Sequence, residues 1–130
     1  MSRHATPPPI TISEADHERL SNLALASAHL PGIGDYLLGE LDRATIVPEG
    51  SLGADVVAMN RELEYRDEAS GETRRVTLVY PEAQDIAAWK ISVLTPVGAA
   101  LIGLAAGQSI AFADRKGDER RLTVTRTFAR

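Results

Sequence analysis

The sequence contains no cysteine, which excludes disulfide staples and thiolate metal sites. No apolar run approaches the roughly 18 consecutive residues that a membrane-spanning helix needs. The stretch Met1 to Pro9 holds three consecutive prolines and no apolar segment, unlike a secretory signal, so the cytoplasm is the expected compartment. Histidine is scarce, and His4, His17 and His29 stand too far apart for a metal pair on one helix face. His17, on the polar face of a helix, reads as solvated. No phosphate loop of the Walker type is present; Gly32-x-Gly34 is too short, lacks a following lysine and reads as a turn. There is no G-x-S-x-G elbow, and no carboxylate sits in an apolar context that would raise its pKa for acid–base work. The expectation is a non-enzyme with no catalytic residue, no metal, no cofactor and no membrane contact.

What is present is enough for one domain, or one domain with a small appendage: 130 residues, 44% of them hydrophobic. The net charge of −4 disfavours a nucleic-acid coat, which would be basic. Residues 1–54 hold seven acids against three bases, whereas residues 55–130 hold eleven of each. That asymmetry suggests two units with different surfaces.

Local patterns divide the chain further. Pro7-Pro8-Pro9 blocks helix and marks residues 1–12 as a loose leader. Ser13 is a plausible N-cap, followed by Glu14, Asp16 and Glu18 at the positive end of a helix dipole. Leu20, Leu23, Ala24 and Ala28 give a helical stripe, which His29-Leu30-Pro31-Gly32 breaks. A second helix is expected from about Asp35 to Ile46, making residues 13–47 an antiparallel helical hairpin and 48–54 a linker. From Asp55 the periodicity shifts to two. Leu63 and Tyr65, then Val76, Leu78 and Tyr80, alternate with polar residues as in a β-hairpin. Lys90 to Leu94 reads as another strand, Thr95-Pro96 as a capped helix start, and Ser109–Ala113 and Leu122–Phe128 as two last strands. The fold class is therefore α+β: a short helical hairpin followed, over residues 55–130, by an antiparallel sheet with one helix.

The run Ile91-Ser92-Val93-Leu94-Thr95-Pro96-Val97-Gly98-Ala99-Ala100-Leu101, with its later Gly107, resembles the C-terminal signature of the GreA/GreB transcription elongation factors. Leu78-Val79-Tyr80-Pro81, Asp55-Val56-Val57-Ala58-Met59-Asn60 and Glu40-Leu41-Asp42-Arg43-Ala44 resemble the Rnk (regulator of nucleoside diphosphate kinase) branch of that superfamily. The resemblance spans roughly residues 12–113. It implies an FKBP-like C-terminal domain, a coiled-coil arm from the hairpin, and RNA polymerase as partner, with DNA contacted only indirectly. In Gre factors the C-terminal domain docks on the rim of the polymerase secondary channel, and acids at the arm tip help to hold the magnesium that cuts backtracked RNA.

Two departures shape the expected activity. Helices of about 12–14 residues give an arm near 20 Å, far shorter than a Gre arm. The tip, with His29, Leu30 and Asp35, offers one carboxylate where a hard cation prefers several. The family's docking loop carries an acid before Ser-Pro; here Leu94, Thr95 and Pro96 stand in its place as the candidate docking residues. The expected function is a monomeric regulator that binds polymerase, competes with Gre factors and does not stimulate cleavage. Two alternatives remain open: a peptidyl-prolyl isomerase, for which six aromatics supply a poor pocket and Trp89 alone lies near the helix-side strand, or a direct regulator of nucleoside diphosphate kinase.

Overall fold

The computed structural model describes residues 7–30 and 32–128. The chain enters through Ile10 and Ile12, both fully buried, and through β1 (Thr11–Ser13). Residues 10–12 are thus not part of a loose leader. Alternating isoleucines make a strand when a partner edge is available, and β2 (Thr45–Val47) supplies one in parallel register. Between the two strands run α1 (Glu14–Ala26) and α2 (Ile33–Arg43). Ser13 caps α1, its hydroxyl accepting from the Asp16 N–H at 3.3 Å. The second helix starts and stops earlier than its periodicity suggested, because residues 45–47 are taken by β2. Arg43 closes α2 with a forked bond to the buried Glu40, at 2.8 and 3.0 Å, and reaches the Pro8 carbonyl at 2.5 Å. Glu40 is a buried charge, and this fork satisfies it. His17 is not simply solvated: its Nε2 lies 3.1 Å from the Leu41 carbonyl, joining α1 to α2.

The second part is a five-stranded sheet in the order β5-β4-β3-β7-β6. Its strands are β3 (Glu62–Asp67), β4 (Thr73–Val79), β5 (Lys90–Ser92), β6 (Ser109–Ala113) and β7 (Glu119–Phe128). The sheet is not wholly antiparallel, since β4 and β5 pair in parallel. Two short 3-10 turns, Pro81–Ala83 and Ile86–Ala88, carry the chain back so that β5 starts level with Thr77. The one helix of this part, α3 (Pro96–Leu101), is shorter than its apolar stripe, because Gly103 turns the chain with φ +83°.

One hydrophobic core runs through both parts. Ile10, Ile12, Leu20 and Leu37 from the N-terminal elements join Leu63, Leu78, Leu101 and Leu122. Burying each such side chain contributes about 1.5–3 kcal/mol. Gly103 is the seam: a Cβ there would meet the Ile10 Cβ at 2.8 Å, and its carbonyl accepts the Thr11 N–H at 3.1 Å. The helix pair therefore lies against the rest of the chain, with α2 packed on α3, and does not stand off as a free arm.

Candidate partner-docking site

The loop before α3 is fixed from within. Thr95 Oγ1 donates to the Ser92 carbonyl at 2.7 Å and accepts from the Gly98 N–H at 3.0 Å. Ser92, itself buried, accepts the Leu94 N–H at 3.0 Å. Pro96 occupies the first helical position, where its missing N–H leaves nothing unsatisfied. Leu94, Thr95 and Pro96 are consequently a half-buried, rigid ledge. The expectation of a Thr-Pro helix start holds in atomic detail.

A groove opens on each side of this ledge. One, of about 430 Å³, is lined by Tyr65, Ile86, Ile91, Val97 and Phe112 beneath a charged rim. The other, of about 580 Å³, lies between Leu94 and Pro96 on one wall and Leu30, Ile33 and Tyr36 on the other. Pro96, Asp114 and Arg115 border both. Leu30 of the expected arm tip thus faces the expected docking ledge. His29 and Asp35 are exposed and line neither groove.

The rim is held by Arg120, which binds Asp67 at 2.6 Å and Asp114 at 3.5 Å. Desolvation pulls Asp67 upward, but the Ala69 N–H and the Arg120 guanidinium outweigh it and hold the carboxyl below the usual range. Asp114 is likewise depressed: against desolvation stand the Asp118 and Lys116 N–H groups, then Arg120. The hydrogen bond that Arg120 donates to Asp67 raises Arg120 further. Both acids thus stay ionised and are engaged within the protein. Arg115 and Lys116, by contrast, are exposed and make no ion pair among the described residues. In the second groove, burial and then the Glu40 charge push the Tyr36 hydroxyl up to about 12, so it stays a neutral donor. Among the described residues no group of three His, Asp or Glu side chains is clustered as metal ligands.

Three features escaped the sequence reading. Tyr65 and Phe112 meet in one pocket because β7 brings β3 and β6 together. Ile86 stands at the pocket lip on an unforeseen 3-10 turn. Trp89, the aromatic expected nearest a pocket, is 52% exposed and lies outside it, near Arg74.

Comparison with known proteins gives consistent matches. The family described as "Transcription elongation factor, GreA/GreB, C-term" matches residues 52–126, and "Rnk N-terminus" matches residues 8–47. The chain is 43% identical over 105 residues to the "Regulator of nucleoside diphosphate kinase" of Escherichia coli (strain K12), covering 79% of this chain and 76% of that one. It is 36% identical over 75 residues to the GreA of Nitratidesulfovibrio vulgaris, but spans only 47% of that protein. Among solved structures, a prokaryotic transcription elongation factor GreA/GreB from Nitrosomonas europaea superposes with a TM-score of 0.72 at 40% identity, over 92% of this chain and 98% of that one.

Proposed function

Because the chain belongs to the GreA/GreB transcription elongation factor family, with an N-terminal part of the Rnk type, we propose that it regulates transcription by docking on RNA polymerase. The docking position in this reading is the rim of the secondary channel, where the protein competes with Gre factors and leaves cleavage unstimulated. DNA is met only through the transcription complex, and the setting is the cytoplasm. Residues 13–47 are the shortened counterpart of a Gre arm, 48–54 a linker, and 55–130 an FKBP-like domain.

The observation that carries this reading is the convergence of Leu30 with Leu94 and Pro96 on one groove. It gives the docking residues a concave apolar surface with a basic edge at Arg115, the composition expected of a protein-binding site. It also makes both parts of the chain contribute to one surface. Failure to stimulate cleavage follows from reach and charge. The 13 residues of α1 extend only about 20 Å, and Asp35 is a single acid in the first turn of α2, where the helix dipole already accounts for it.

The test is binding of the full chain to core polymerase, followed by cleavage assays on backtracked complexes. Leu30→Asp and Arg115→Glu are each expected to weaken binding about tenfold, or roughly 1.4 kcal/mol. The protein alone should leave the RNA intact, and added with GreA it should slow cutting in proportion to dose. Cleavage by the protein alone that disappears in Asp35→Ala overturns the reading.

A further inference from the structure

Next to the pocket of Tyr65 and Phe112 the chain displays a segment with the opposite properties. From Pro81 to Trp89 it carries two acids and no base before Lys90; Glu82 is engaged by Arg19 at 3.0 Å, while the Asp85 carboxylate is exposed. Ile86 is 66% exposed and Trp89 52%, both large apolar side chains open to solvent. The segment is stiff. Asp85 and Lys90 exchange both backbone hydrogen bonds, at 3.0 and 2.9 Å, and the Asp85 carboxylate accepts the Ala88 N–H at 3.3 Å. Trp89 is held at φ +58°, a left-handed conformation uncommon for a bulky residue, and is half exposed with Arg74 near its ring.

An apolar knob beside the Asp85 carboxylate thus stands at the lip of an apolar pocket whose outer edge holds the exposed bases Arg115 and Lys116. Within one molecule the knob does not fill the pocket, since Ile86 stays exposed on its margin. A two-fold axis placed near Ile86 would bring each knob over the other copy's pocket and each Asp85 carboxylate toward the other's Arg115 and Lys116. Such an isologous contact needs knob and pocket side by side on one face, which is the arrangement here.

From this complementarity of shape and charge we infer that a second copy of this chain occupies the pocket, forming a symmetric dimer through the 82–89 segment. This departs from the monomer expected from sequence. It has a regulatory consequence: the dimer takes up Pro96, Asp114 and Arg115, which also border the Leu30–Leu94 groove, so self-association and docking on a larger partner compete.

Trp89 is the sole tryptophan and stands three residues from Ile86, so its emission reports the surroundings of the 82–89 segment. The experiment is sedimentation equilibrium of the full chain from about 1 μM to about 1 mM, a range that spans weak to moderate affinities, with fluorescence recorded in parallel. The average mass is expected to rise toward twice the monomer, with a blue shift of Trp89 emission at the same midpoint. Ile86→Asp, and separately the pair Arg115→Glu with Lys116→Glu, should each move that midpoint at least tenfold higher. These sites are exposed, and unchanged circular dichroism will show that the fold is kept. A mass that stays monomeric throughout overturns the inference, as does a dimer whose midpoint either variant leaves unmoved. No polymerase enters this experiment, so its failure leaves the docking reading standing.

Discussion

Gly98 lies so close to the Ser92 carbonyl that a Cβ on it would fall inside that group. The approach presses the first turn of α3 onto the end of β5 and fixes the Leu94–Thr95–Pro96 ledge between them. Gly98→Ala should cost about 1–3 kcal/mol through overpacking. Gly39, inside α2, has nothing within 4 Å of where its Cβ would stand. Gly39→Ala should therefore stabilise the protein, by about 0.5–1 kcal/mol. Urea denaturation of the two variants measures both signs, and a harmless Gly98→Ala would refute the close approach.

The shared core predicts cooperative unfolding. Leu20 in α1 is completely buried in the cluster that also holds Leu101 and Leu122. Leu20→Ala should lower stability by about 2–5 kcal/mol. The loss should be felt in both parts at once. Far-ultraviolet dichroism, dominated by the helices, and Trp89 fluorescence should follow one transition before and after the substitution. Separated transitions would mean that the helix pair unfolds by itself.

The rim network predicts an acid dependence. Asp67 and Asp114 have folded pKa values below their ordinary ones. Their contribution to stability is present above the unfolded carboxylate pKa, about 3.9, and is lost as pH falls through the lower folded values. Stability measured from neutral pH downward should drop below about pH 4, and Asp67→Asn should flatten that drop. Because both acids lie near the surface, added salt should shrink the effect.

At the alkaline end the three tyrosines predict a delay. Burial raises Tyr36 to about 12, and burial also raises Tyr65 and Tyr80. A phenol whose folded pKa is raised stabilises the fold below the unfolded value of about 10, and that stability is lost as pH rises toward the folded one. Absorbance titration of the native protein should show no ionisation step near pH 10. A full three-tyrosine step at that pH would place the rings in water.

Local chemistry was the legible part of this fold. Thr95-Pro96 announces a capped helix because capping involves neighbours only, and the alternation of Leu63, Tyr65, Val76 and Leu78 announces a hairpin for the same reason. Ile10 and Ile12 were opaque because their partners, Thr45 to Val47 and Gly103, lie far along the chain. The ledge of Leu94, Thr95 and Pro96 could be named from sequence, yet its grooves could not. Tyr65 and Phe112 meet only through the strand order, and Leu30 meets Leu94 only because the helix pair folds back onto α3. The parallel β5 was hidden by two 3-10 turns that carry no strong sequence mark.

The pairing of β1 with β2 joins the point where the helix pair leaves the body to the point where it returns, through Thr11 with Thr45 and Ser13 with Val47. A segment clasped at both ends is close to an interchangeable insert. The entropy of closing it grows only with the logarithm of its length, about 0.6 kcal/mol per doubling. Extra helical turns added at the far end would alter reach while leaving the clasp, the Gly103 seam and the α3 ledge as they are. A scaffold built in this way can carry a stub or a long probe on one unchanged body, and the length of its insert can drift or be engineered separately from the surface that anchors it.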